Sequence, residues 1–136
     1  MNSPPPHRGK VFLYKKFPFG DGGESDKRLI VVNEPDGDSD WLFIKTTSKR
    51  KIHDNQGCYS SDNLYVLNAK EDNVFELKTW VQFQELYPIP ALAMSVANKF
   101  GEMKRIGTLK PQIIQAILNC LRKSPDLSPN ELSRLK

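Results

Sequence analysis

No apolar run in this chain exceeds four residues, as in Leu29-Ile30-Val31-Val32, whereas a membrane-spanning helix needs about 18–20. The first ten residues are Pro-rich and polar where a secretory leader would be apolar. No membrane partner is expected, and a cytoplasmic location follows by default. Only two cysteines occur, Cys58 and Cys120, too few for a disulfide framework and without CxxC spacing. They read as two small thiols suited to reducing conditions. The two histidines, His7 and His53, form no ligand group with them, so no metal site is expected. Gly20-Asp21-Gly22-Gly23 lacks the Gly-Lys-Ser/Thr of a phosphate-cradling loop and reads as a strand connection. Asp36, Asp38 and Asp40 imitate the start of a calcium loop, but Trp41 stands at the sixth position and Thr47 at the twelfth, which removes the turn and the bidentate ligand. No Gly-x-Ser-x-Gly elbow, no Cys/His nucleophile pair and no internal repeat is present.

What remains is 136 residues, 38% hydrophobic and 26% charged, enough for one hydrophobic core. The net charge of +4 is compatible with an anionic partner. Lys45, Lys49, Arg50 and Lys51 form a local positive run directly after the acidic turn Glu34 to Asp40. Residues 1–8 (MNSPPPHR) predict an extended tail, because successive prolines remove donors and fix φ.

Strands are predicted at Lys10–Tyr14, Leu29–Asn33, Trp41–Ser48, Tyr65–Leu67, Trp80–Phe83 and Met103–Ile106, from β-branched and aromatic enrichment between turn signals. The segment FPFGDGGESDK reads as a polar, Gly-rich loop. Short strands separated by turns favour a small, strongly bent barrel over a parallel sheet with crossover helices. Ile113, Ile114, Ile117, Leu118 and Leu121 recur on one helical face behind Pro111, predicting a helix over residues 111–123 that caps the barrel. A shorter helix is expected over Ala91–Lys99. Residues 124–136 read as a flexible tail, with Ser128-Pro129-Asn130-Glu131 as a capping box for one weakly held turn.

Three ordered stretches, GKVFLYKKFPFGDGGESDKRLIVVNE, FIKTTSK and RIGTLKPQIIQAILNCLRK, span residues 9–123 and resemble the PemK/MazF family of toxins from bacterial toxin–antitoxin modules. The resemblance implies a mainly β (α+β) fold, a small SH3-like barrel of the PemK/CcdB type with a C-terminal helix, forming a homodimer. It also implies a metal-independent endoribonuclease without cofactors, acting on single-stranded RNA and controlled by a separate antitoxin protein. In such enzymes the ribose 2′-hydroxyl attacks the adjacent phosphorus, leaving a cyclic phosphate and a 5′-hydroxyl.

By this resemblance Arg28 takes the place of the family's arginine, a fixed charge able to grip a phosphate at two points. Thr47 takes that of its threonine, and Ser48 stands beside it. Lys49, Arg50 and Lys51 would add salt-dependent affinity for an RNA backbone. Phe19 either stacks on an unpaired base or packs under its loop. The family usually has Pro after the arginine, where this chain has Leu29. Some members carry Arg and Asp on the strand corresponding to Trp80–Phe83, where this chain has Gln82 and Gln84 followed by Glu85. Glutamine binds substrate but shuttles no proton, so Glu85 or His53 serves instead, or catalysis is slow, or the fold is a non-catalytic RNA- or protein-binding module. A topoisomerase-inhibiting toxin is the remaining alternative.

Overall fold

The computed structural model describes residues 7–18, 24–70 and 74–135. Seven strands, β1 (Lys10–Pro18), β2 (Glu24–Val31), β3 (Trp41–Thr47), β4 (Gly57–Tyr59), β5 (Leu64–Leu67), β6 (Thr79–Ile89) and β7 (Met103–Thr108), form one sheet. Its order is β4-β5-β6-β3-β2-β1-β7, and every pairing is antiparallel. The helices are α1 (Ala91–Lys99), α2 (Pro111–Leu121) and α3 (Pro129–Ser133), making the chain an α+β fold dominated by strands. None of the described helices is long and apolar enough to cross a membrane.

Alternation along the strands sorts side chains onto two faces. Ile30, Val32, Leu42 and Ile44 enter one core with Val11, Leu67, Val81 and Phe83, and the apolar stripe of α2 covers it. Leu29, Val31 and Phe43 point the other way, into a smaller cluster with Phe12, Met103 and Met94 of α1. Register breaks between Tyr14 and Phe17, between Val11 and Phe12, and between Phe43 and Lys45 bend the sheet. The bending brings β7 against the β5–β6 connection, where a Cβ on Gly107 would lie 2.9 Å from Val74 Cγ2. Only glycine fits that approach.

Both long helices fall where the sequence reading places them, α1 over the same residues and α2 two residues shorter. The hairpin arms are longer than expected. Phe17 and Pro18 pair with Ser25 and Glu24 across a bulge, so much of the predicted loop is strand. Pro18 ends β1, where its missing donor does least harm. Strand β4 carries no sequence signal and owes its pairing to β5.

Two expectations are corrected. Cys58 on β4 and Cys120 on α2 are not separate thiols but a disulfide, with Cα atoms 5.6 Å apart across 62 residues of sequence. Only the packing of α2 on the sheet's β4–β5 end makes them neighbours. The segment after residue 123 is likewise docked, because Leu127 and Leu135 enter the main core. Asn63, in the left-handed conformation at φ 57°, donates from Nδ2 to Asp126, accepts from the Ser124 hydroxyl, and takes the Phe83 amide on its carbonyl. The predicted capping box is present, with Glu131 N donating to Ser128 Oγ at 3.1 Å. At the other end, His7 and Arg8 donate their backbone amides to the two carboxylate oxygens of Glu34, at 2.9 and 3.0 Å. Arg8 Nη2 also donates to the Leu135 carbonyl at 2.6 Å.

Candidate functional site

The β2–β3 ladder stops at Leu29–Lys45. Beyond it the Thr46 hydroxyl donates to the Arg28 carbonyl at 2.8 Å, replacing the next rung and leaving the strands to splay. A cavity of about 460 Å³ opens there, lined by Asp26, Lys27, Arg28, Thr47 and Ser48 and by Glu76 of the β5–β6 connection. Arg28, Thr47 and Ser48, singled out in sequence, therefore border one space. By alternation Arg28 shares the face of Ile30, whereas Thr47 shares that of Phe43, so they reach the rim from opposite faces of the sheet. Thr47 Oγ1 accepts from the Lys49 amide at 3.1 Å, a bond that leaves its own proton free to donate elsewhere.

The lining carries two cations, Lys27 and Arg28, and two carboxylates, Asp26 and Glu76. Burial, followed by the charges of Lys45 and Lys51, holds the Lys27 ammonium below the ordinary lysine range. Like charges crowded in this way are relieved by a bound phosphate. Lys49, Arg50 and Lys51 are exposed in the loop that follows β3, and Arg50 Nε lies 3.8 Å from Asp54.

The remaining predicted residues are placed apart. Gln82 pairs with Lys45 in the β3–β6 ladder and does not border the cavity. Phe19 lies outside the described residues. Glu85 hydrogen-bonds the Tyr87 phenol, which burial and that carboxylate push up to about 12. His53 is fixed more firmly than the sequence suggests. Its Nε2 is 2.7 Å from Asp62 Oδ2, its ring stacks on Tyr59 at 3.8 Å, and its carbonyl accepts from Trp80 Nε1 at 2.6 Å.

Sequence reasoning missed Asp26, Lys27 and Glu76. Asp26 was within reach, because positions 26 and 28 of one strand share a face. Glu76 lies on an irregular connection and has no periodicity to reveal it. No known family model matches the chain, and no curated protein does either.

Proposed function

We propose that the protein is a metal-independent endoribonuclease, the toxin of a toxin–antitoxin pair, and that single-stranded RNA is cleaved in the cavity between β2, β3 and the 74–79 connection. The observation carrying this reading is the convergence of Arg28, Thr47 and Ser48 with Lys27, Asp26 and Glu76 around one space. Cleavage by the neighbouring 2′-hydroxyl needs a fixed positive charge, a proton acceptor and a proton donor. Arg28 grips the phosphoryl oxygens, and the Thr47 and Ser48 hydroxyls hydrogen-bond them. Glu76, which also lines the cavity, takes the 2′-hydroxyl proton as the O2′–P bond forms. Lys27 delivers a proton to the 5′-oxygen as the P–O5′ bond breaks. A carboxylate and a depressed ammonium thus fill the roles that Gln82 and Gln84 cannot.

The strongly curved sheet capped by α2 suits an SH3-like barrel, and the reading carries with it a homodimer and a separate acidic antitoxin chain. It also sets the protein in a reducing cytoplasm, where a disulfide such as Cys58–Cys120 would be transient.

The test is incubation with mixed-sequence single-stranded RNA in EDTA, with and without a thiol reductant, beside Arg28→Ala and Glu76→Gln. Cyclic-phosphate ends from the wild type are expected, with a loss of at least about 100-fold in either variant. RNA binding without cleavage would instead favour the binding-module reading, in which Gln82 and the Lys49–Lys51 run hold the strand. Neither binding nor cleavage sinks both.

A further inference from the structure

A second cavity, of about 420 Å³, lies on the other side of the sheet beneath α1. Lys10 and Arg105 supply two cations from adjacent strands, Phe12 and Trp41 an aromatic wall, and Ser95 and Asn98 of α1 a hydroxyl and an amide. Its volume lies within the range of small-molecule sites, and so does its composition: apolar walls with a few convergent polar groups.

Lys10 is built into place, and Arg105 stands exposed on the neighbouring strand. Lys10 Nζ donates to His7 Nδ1 at 2.9 Å, and the His7 ring packs on Trp41 with centroids 4.7 Å apart. Phe12 meets Trp41 edge to face, at 6.0 Å and 86°. Burial and the nearby Arg105 charge both lower the Lys10 ammonium. Glu34 is the neighbouring carboxylate; it accepts from the His7 and Arg8 amides and offsets part of the lowering at Lys10. Among the described residues neither Lys10 nor Arg105 is in an ion pair. Two like charges, neither of them in an ion pair, beside an indole and a phenyl ring form a receptor for an anion that carries a flat ring.

We infer that this cavity is a nucleotide-binding site, with the phosphate held between Lys10 and Arg105 and the base laid against Trp41. The proposal stands independently of RNA cleavage at Arg28, since the two cavities share no lining residue. The nucleotide is either free or one unit of an RNA strand.

Intrinsic fluorescence tests this directly. The chain has two tryptophans, and Trp80 is buried with its Nε1 occupied, so Trp41 reports on the cavity. Adenosine 5′-monophosphate should quench saturably below about 1 mM. Adenosine alone and inorganic phosphate alone should each bind at least about tenfold more weakly. Arg105→Gln, at an exposed position, should weaken the nucleotide about tenfold with unchanged circular dichroism, and Lys10→Gln should do the same. Trp41→Phe should remove the signal, while Arg28→Ala should leave affinity unchanged even if it abolishes cleavage. A short oligoribonucleotide that displaces the monophosphate identifies the ligand as part of a strand; one that does not identifies a free nucleotide. The proposal fails if no saturable quench appears, if Arg105→Gln and Lys10→Gln both bind as the wild type does, or if phosphate alone binds as tightly as the nucleotide.

Discussion

One face of the sheet meets α2 and the 124–135 segment, and its cluster holds nineteen buried residues among those described. The opposite face meets α1, with six buried in its main cluster and three more around Trp80. The first face is sealed by apolar side chains alternating from five strands and by a helix with a full apolar stripe. The second keeps polar groups at the same registers: Lys45 lies over the Tyr87 ring, 5.9 Å from its centroid, and Lys10 and Arg105 edge the second cavity. The dense core and the second cavity are thereby divided between the two sides, with Arg28 left at the rim of the first face, because a surface that holds cations for a ligand cannot also be packed dry.

The sharpest way to break this division is to cut the covalent tie of the sealed side. Replacing the disulfide by Cys58→Ser with Cys120→Ala frees a loop of 62 residues and should lower unfolding free energy by about 4 kcal/mol on chain-entropy grounds. Urea titration with and without reductant measures it, and a loss under about 1 kcal/mol would mean that α2 is held by packing alone. Next in size, Leu118→Ala in the sealed core should cost about 3 kcal/mol, against nearer 2 for Met94→Ala, where α1 can settle into the space. Equal losses would erase the contrast.

The smallest effect is that of pH on the open side. Burial, reinforced by Lys10, holds the His7 imidazole below its ordinary 6.5. A depressed value means that its contribution to stability is present above pH 6.5 and lost as pH falls through the folded value. Unfolding midpoints between pH 7.5 and 5 should therefore decline in the wild type and decline less in His7→Gln. Parallel curves would remove His7 from the account.

The sequence carried local information faithfully. The helix at 111–121 declares itself through Pro111 and a stripe at positions 114, 117, 118 and 121, all of which are buried. The Ser128–Glu131 box is likewise written in four consecutive residues. What escaped depends on contacts distant along the chain. Leu127 and Leu135 look like stray apolar residues until the groove that accepts them exists. Cys58 and Cys120 are ordinary until α2 lies on β4. The site divides the same way: Arg28 lies within β2 and Thr47 at the end of β3, where sequence can point to them, whereas Glu76 lies on an irregular connection that local pattern does not place.

The Cys58–Cys120 bond also makes residues 58–120 a closed ring. When the molecule is pulled from its two ends, the chain outside the ring can straighten, while the ring passes force across a single S–S bond. The fully stretched molecule is then shorter by about 200 Å than its reduced form, taking roughly 3.4 Å per residue over 62 residues. A single-molecule extension trace would show that missing length and its return after reductant is added.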